Sequence, residues 1–234
     1  SGKSVTANAI NLALCLSPGI TRLPLISIID IGRASSGLIS LLQNAVPTSM
    51  RHLFASIRMQ MTKDFAVNPL DLQLGMDRPL EMEFNFQLNL LLTLVTPPGA
   101  IATDPAMPNL CRMALETVYR RYSRGAQGTA AKRYSSHMIG AEDVDAAIVK
   151  YAIPVDDNTT WWEITDALFT RGAIHEAYLA QRFAVPLLAD LAAVVKEPQF
   201  QDVYGAKLSG TGDEPLLHAF SRMLSEAIRA YPIL

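Results

Sequence analysis

Cysteine and histidine are scarce in this sequence, and that scarcity excludes several kinds of site. Two cysteines and four histidines occur among 234 residues. They show no metal-ligand spacing, so we predict no metal centre built from them. Cys15 and Cys111 lie in apolar helical patterns, which indicates buried thiols in a reducing compartment rather than a disulfide. No Ser/His/Asp or Cys/His constellation follows from the spacing, and we interpret His52, His137 and His218 as structural or exposed.

Long apolar runs and a strong net charge are also absent. The most apolar stretch, residues 88–95, is too short to span a bilayer and contains Asn89 and Thr93. The formal net charge is −2, which argues against a protein that coats nucleic acid by bulk electrostatics. Hydrophobic residues make up 50% of the chain, so it can bury a substantial core in one large or two small domains.

The sequence begins without a methionine, at Ser1-Gly2-Lys3-Ser4. These residues match the end of a phosphate-binding loop, G-x-x-x-x-G-K-[ST], without its first half. An apolar helical pattern then runs from Ser4 to Leu16, as expected after such a loop. We therefore interpret the chain as a fragment of a larger P-loop protein that starts inside its nucleotide site. A chance match at the terminus is the alternative.

The chemistry expected of this motif is binding of ATP with Mg²⁺. Gly2 lets the backbone approach the phosphates closely, and the loop N–H groups point at them. Lys3 is predicted to contact the β- and γ-phosphates and is the predicted catalytic residue. The Ser4 hydroxyl is the predicted Mg²⁺ ligand. Gly2, Lys3 and Ser4 are the only nucleotide-site residues that we assign.

The hydrophobic pattern changes its period near residue 81, which predicts two domains. Residues 25–30 and 52–61 are short apolar runs that favour strands, with helices at 4–16 and 38–45. From 81 onward the pattern is helical, with interruptions rich in glycine and proline. The predicted helices cover 82–95, 110–123, 141–151, 161–171, 174–196 and 214–230. The sequence thus predicts an α/β P-loop core over 1–80 and an all-helical insertion over 81–234, with Pro186 splitting or kinking the longest helix.

Asp30 ends an apolar run, as the acidic residue of a Walker B strand does. However, only one helix separates it from the motif, and Ile31 rather than a second acid follows it. We favour a second core strand, with Asp30 capping the next turn or facing the site from its edge. Direct coordination of Mg²⁺ by Asp30 stays open.

A basic cluster and a tryptophan pair are the other candidate binding features. The cluster comprises Arg112, Arg120, Arg121, Arg124, Lys132 and Arg133. It could bind an acidic partner or nucleic acid, but a solvated helix face and a basic mobile loop are the favoured interpretation, because a basic run alone is weak evidence of binding. Trp161-Trp162 precedes an apolar helix and is interpreted as a packing or interface anchor rather than a stacking platform.

The order of these motifs resembles the VirB-type ATPases of type IV secretion and conjugation. The shared features are the G-K-S, Ile28-Ile29-Asp30-Ile31-Gly32 and Phe65-Ala66-Val67-Asn68-Pro69-Leu70. Residues 51–61, Trp161-Trp162-Glu163, His175-Glu176-Ala177 and residues 219–223 are similar to the DotO/IcmB branch of type IVB (Dot/Icm) systems. The resemblance covers nearly the whole chain.

That resemblance implies a RecA-like core with a helical insertion, working as a cytoplasmic homo-hexamer at the inner membrane. Hydrolysis of ATP would drive assembly or substrate transfer, with a second secretion ATPase and inner-membrane channel components as partners. It also places the Walker B strand and any arginine finger beyond Leu234. We therefore expect residues 1–234 alone to bind ATP–Mg²⁺ weakly or not at all and not to hydrolyse it.

Two other functions remain open from the sequence. One is a non-catalytic module whose helical part only binds neighbouring proteins. The other is a small P-loop kinase with Asp30 in the site and the arginines of residues 112–133 on a closing lid, although the helical part is longer than an ordinary lid. The transported substrate cannot be read from these residues.

Overall fold

The computed structural model describes residues 2–17, 19, 22–29, 34–97, 104–125, 129–210 and 213–233. The chain divides into two compact units, Ser1–Gln60 and Met61–Leu234. The sequence had suggested a boundary near residue 80. The division into domains at 1–80 and 81–234 stays a prediction.

The first unit contains two α-helices and a short 3₁₀ helix among its described residues. Helix α1 spans Gly2–Leu16, α2 spans Ala34–Ala45, and the 3₁₀ helix spans Thr48–Leu53. Helix α1 packs against α2, which also contacts the 3₁₀ helix. In the described part of this unit only Leu38 and Leu42 are buried apolar residues. The first unit therefore has a very small core.

The second unit is a helical bundle. After a 3₁₀ turn at Lys63–Phe65, its helices are α3 Glu81–Leu94, α4 Met107–Tyr122, α5 Glu142–Lys150, α6 Trp161–Thr170, α7 Ile174–Ala184, α8 Leu188–Val194, α9 Pro198–Tyr204 and α10 Leu216–Ala230. Helices α6 and α7 form a tight pair, with α5 packed against both. Helix α10 packs on α8, α3 and α9, and α4 contacts α3 and α8.

Local sequence signals explain where α6 begins and ends. The Thr160 hydroxyl accepts a hydrogen bond from the Glu163 N–H, and the Glu163 carboxylate accepts one from the Thr160 N–H at 2.7 Å. This reciprocal capping satisfies two backbone donors that a helix start leaves unpaired. Gly172 follows the helix with φ +74°, a conformation that glycine adopts without steric cost, so α7 can turn back against α6.

The core of the second unit is organised around Trp161, which is 1% exposed. Its indole stacks on Phe183 of α7, with ring centroids 4.5 Å apart. The Tyr134 ring meets the indole edge-on at 4.9 Å. Leu168, Leu191 and Phe220 extend this core through α6, α8 and α10. Aromatic residues at this density stabilise a bundle through both buried area and ring geometry.

Pro186 divides the long apolar pattern into α7 and α8, as predicted. Proline lacks the N–H that a continuous helix needs, so the helix is interrupted here. Val185 and Pro186 lie between α7 and α8, and their carbonyls are available to donors outside the helices. The Pro186 carbonyl accepts a hydrogen bond from Asn68 Nδ2 at 2.8 Å. The Val185 carbonyl accepts one from Lys132 Nζ at 2.9 Å, and the same ammonium lies 3.1 Å from Asp190.

The predicted α/β fold is wrong for the part of the chain that the structure describes. Those residues contain no strand, and their only β-type pairings are isolated bridges at Arg133–Thr160 and Leu208–Pro215. The apolar run from residue 25 has no partner strand in the described region, and Leu25 and Ile29 are 101% and 97% exposed. A strand is stable only when neighbouring strands satisfy its backbone and cover a face. A partial RecA-like core is therefore not observed.

The second predicted strand is also wrong, whereas the helices were predicted well. Residues 52–61 end a 3₁₀ helix and continue without regular structure. Every predicted helix after residue 81 is confirmed within a few residues, with Pro186 separating the last but one into two. Helix α9 was not predicted, because seven residues carry too little periodicity to be recognised.

Candidate functional site

The Gly2-Lys3-Ser4 motif forms the first turn of α1. The helix begins at Gly2, and the side chains of Lys3 and Ser4 are exposed. The first N–H groups of a helix have no partner inside the helix and carry partial positive charge. No acidic residue occupies this turn. Ammonium, hydroxyl and backbone donors together form a donor set that suits phosphate oxygens.

The Thr6 hydroxyl donates to the Gly2 carbonyl within the same helix, at 3.0 Å. Among the described residues, no atom outside the neighbouring helix backbone lies within 4 Å of a Cβ added to Gly2. No cluster of three potential metal ligands exists in the described regions. Asp30, the sequence candidate for Mg²⁺, lies outside the described residues. Gly2, Lys3 and Ser4 thus lie together in the first turn of α1.

The basic cluster is largely engaged within the protein. Arg121 forms an ion pair with Glu197. Arg124 pairs with Asp166 at 2.8 Å, and its guanidinium lies 4.5 Å from the centre of the Trp162 ring. These contacts join α4 to α6 and to the start of α9. Arg121 and Arg124 therefore connect parts of the bundle and do not form the solvated helix face that the sequence predicted.

The remaining candidates are structural or exposed. Trp161 and Trp162 are both buried, and the Trp162 indole N–H donates to the Tyr122 carbonyl at 2.7 Å. Both tryptophans therefore act as packing anchors. All four histidines are exposed. Burial raises the pKa of the Cys111 thiol to about 12, so this cysteine has almost no thiolate near neutral pH.

Gln181 is a structural residue that the sequence analysis missed. It is fully buried on α7, and its amide holds the segment that precedes α3. Nε2 donates to the Leu72 and Gln73 carbonyls at 3.0 Å each, and Oε1 accepts from the Gly75 N–H at 2.8 Å. A glutamine among the small apolar residues of α7 was the available signal, since a buried amide needs nearby partners.

A second feature that the sequence analysis missed is an open groove beside the start of α3, of about 460 Å³. It is lined by Asn68, Pro69, Asp71, Met82, Glu83, Phe86 and Gln87, and we call it the α3 groove. Met82 and Phe86 are 85% and 63% exposed, which is unusual for large apolar side chains one helical turn apart. Asp71 and Glu83 contribute carboxylates to the same surface.

A smaller cavity of about 160 Å³ lies between Val95, Asp104 and α10. Its polar groups are already engaged. Asp104 accepts hydrogen bonds from the Gly210 and Ala106 N–H groups. The Arg222 guanidinium is held by Glu214 and Glu226. This cavity therefore offers little chemistry to a ligand.

Residues Ile174–Val194 form the single described stretch that is long and apolar enough to cross a membrane. This stretch comprises α7, Pro186 and α8, and half of it is buried inside the helical unit. A core helix of a protein without a membrane segment meets the same criteria, so the stretch is weak evidence.

No protein-family model, no curated protein and no solved structure matches this chain.

Proposed function

We propose that this chain forms part of an ATPase that powers assembly or substrate transfer in a type IV secretion or conjugation machine. The observation that carries the proposal is the Gly-Lys-Ser motif at the start of α1. The resemblance of the surrounding motifs to VirB-type ATPases supports the choice of machine. The proposal concerns activity and does not include the α/β core.

Each residue of the motif has a defined role in this proposal. Lys3 neutralises charge on the β- and γ-phosphates, and the first-turn N–H groups of α1 bind phosphate oxygens. The Ser4 hydroxyl would hold Mg²⁺, which supplies charge neutralisation on the transferred phosphoryl group when bound. Gly2 leaves the first turn open to the approach of a phosphate.

The proposed partners follow from the same resemblance. They are further copies of the chain in a homo-hexamer, a second secretion ATPase and inner-membrane channel components. The proposed location is the cytoplasmic face of the inner membrane. Direct contact with nucleic acid is not part of the proposal, in keeping with the net charge of −2.

The test is ATP hydrolysis by the complete protein carrying Lys3→Ala. Lys63→Ala is the matched control, since Lys63 is also an exposed lysine at the start of a helical turn. We expect Lys3→Ala to lower phosphate release by about 100-fold or more, as losses of charge stabilisation in a transition state do. Lys63→Ala should leave the rate unchanged. Circular dichroism checks that both variants remain folded.

Two results would overturn the proposal. One is wild-type turnover by a folded Lys3→Ala variant. The other is a complete wild-type protein that neither binds ATP–Mg²⁺ in a calorimetric titration nor releases phosphate.

A non-catalytic assembly module is the second candidate function. It is favoured by the extensive core of Met61–Leu234, which is built without any contribution from the G-K-S motif. The kinase alternative loses support, because Arg121 and Arg124 are engaged with Glu197 and Asp166 rather than held ready for phosphates. The absence of ATP binding, together with retained partner binding, would favour the assembly module.

A further inference from the structure

The α3 groove has the features of a docking surface rather than of a closed ligand site. Its apolar part is formed by Met82 and Phe86, at positions i and i+4 of α3. Such residues lie on the same helix face, about 5–6 Å apart. Exposed apolar residues in a row with this spacing match the apolar face of a second helix.

The polar part of the groove is acidic. In the described structure Asp71 and Glu83 form no ion pair, and both carboxylates interact only with neutral donors. Asp71 accepts from the Tyr178 hydroxyl at 3.2 Å and from the Leu72 N–H at 2.9 Å. Glu83 accepts from Gln73 Nε2 and from the Leu80 N–H, each at 2.9 Å. No lysine or arginine lines the groove.

The groove also contains an unsatisfied acceptor. Gln87 is 3% exposed, and its Oε1 atom has no hydrogen-bond partner among the described residues. A buried amide oxygen without a partner is uncommon, because the lost hydrogen bonds to water are not replaced. The pKa of the neighbouring Tyr119 is raised mainly by burial and further by the charges of Glu83 and Asp71, although its hydrogen bond with Gln87 acts in the opposite direction.

We propose that the α3 groove binds a basic amphipathic helix of a partner protein. Apolar side chains of that helix cover Met82 and Phe86, while its lysine or arginine side chains approach Asp71 and Glu83. A second copy of this chain bound face to face would bring the same carboxylates against each other, so charge complementarity favours a different, cationic occupant. This proposal stands independently of ATP binding.

The groove has a firm wall, which favours binding without large rearrangement. Asn68 Nδ2 donates to the Pro186 carbonyl at 2.8 Å, and Asn68 Oδ1 accepts from the Leu70 N–H. The Tyr119 hydroxyl donates to the Leu70 carbonyl at 3.0 Å. The segment opposite α3 is therefore anchored to two other parts of the bundle. A preorganised surface loses less conformational entropy on binding.

The test uses two fluorescein-labelled helical peptides of about 18 residues, long enough to form a helix on contact. One has leucine on one face and lysine on the other, and its counterpart has glutamate in place of lysine. Fluorescence anisotropy with the complete protein measures both affinities. We expect the leucine–lysine peptide to bind at least about tenfold more tightly, because only it complements the carboxylates.

Matched variants locate the binding site. Phe86→Ala should weaken binding of the leucine–lysine peptide by about tenfold or more, whereas Phe169→Ala, which removes a 52% exposed phenylalanine from α6, should not. Glu83→Gln should weaken binding several-fold. Glu163→Gln is its control, since Glu163 also accepts the N–H at the start of a helix but lies outside the groove.

Any of three results would overturn the proposal. The leucine–lysine peptide could fail to bind below about 1 mM, a limit that corresponds to about −4 kcal/mol. The groove variants and their controls could reduce binding equally, which indicates non-specific adsorption. Sedimentation velocity could reveal a dimer of the complete protein that Phe86→Ala abolishes, which assigns the groove to self-association instead.

Discussion

The two units of this protein place their apolar residues in opposite environments. In the first unit the β-branched and long apolar side chains of residues 25–29 and 53–59 are mostly exposed, with Ile57 at 75%. In the second unit Leu110, Ile164 and Phe220 are 0% exposed. Both units contain similar fractions of apolar residues, so composition does not account for the difference. Helical periodicity lets one unit bury its own apolar face, whereas unpaired extended runs cannot.

The sharpest test of this comparison is truncation of a large side chain in each unit. Trp161→Ala should lower the free energy of unfolding by about 3–5 kcal/mol, because it leaves a cavity in the core and removes the stacking on Phe183. Ile29→Ala, at a 97% exposed position, should change it by less than about 0.5 kcal/mol. Urea denaturation followed by circular dichroism measures both. Equal effects would mean that the first unit has a core of its own.

The second prediction concerns the buried amide of Gln181. Gln181→Ala leaves the Gly75 N–H and the Leu72 and Gln73 carbonyls without their partner, and we expect a loss of about 3 kcal/mol. Gln201→Ala, an exposed glutamine on α9, should cost less than about 0.5 kcal/mol. The same urea titration gives both values. A loss below about 1 kcal/mol for Gln181→Ala would show that water readily replaces the amide.

The two cysteines allow the units to be compared chemically. Cys111 is buried and burial raises its pKa to about 12, whereas Cys15 of α1 is only half-buried. A thiol-specific reagent at pH 8 should therefore modify Cys15 at least about 100-fold faster, because the thiolate is the reacting form. Mass spectrometry of timed digests reports each site. Similar rates in the folded protein would contradict the burial of Cys111.

The smallest expected effect is a pH dependence of stability that Glu214, just before α10, causes. Hydrogen bonding to Arg222, and to a lesser extent to His218, lowers the pKa of Glu214 to about 2 from an ordinary 4.5. The pKa of Glu214 is lower in the folded protein than in the unfolded chain. The ionised carboxylate therefore stabilises the fold above pH 4.5, and this stabilisation is lost as the pH falls toward 2. Glu214→Gln should thus be slightly less stable than the wild type at pH 7, and this difference should shrink as the pH falls from 4.5 toward 2. A difference of the same size at pH 7 and at pH 2 would exclude this cause.

How much could be predicted from the sequence depended on whether the signal was local. The start of α6 was foreseeable from its apolar period, and its capping by Thr160 and Glu163 is likewise local. The break at Pro186 follows from the missing N–H alone. The run at 25–30 was misread because a short apolar β-branched segment fits a strand only if partners exist, and partners are a tertiary property.

For the candidate sites, too, only local signals could be predicted from the sequence. The position of Gly2-Lys3-Ser4 at a helix start was predictable because the motif and the apolar period adjoin. The α3 groove was not, because Asp71 lies on an irregular segment and Phe86 lies on α3, and no local pattern indicates how that segment folds against the helix. The hydrogen bonds of Gln181 join α7 to a segment more than 100 residues earlier in the chain. In both cases tertiary packing, rather than an unusual residue, creates the feature.

The break at Pro186 has a further consequence for how the bundle is held together. An uninterrupted helix uses its carbonyls for itself, but here Val185 and Pro186 offer theirs to Lys132 and Asn68. Two segments far apart in the sequence are therefore fastened at one point. A substitution that allowed residues 174–194 to form one continuous helix would stiffen that helix and at the same time release both segments. The break at Pro186 thus holds two distant segments in place. One of them carries Asn68, which lines the α3 groove.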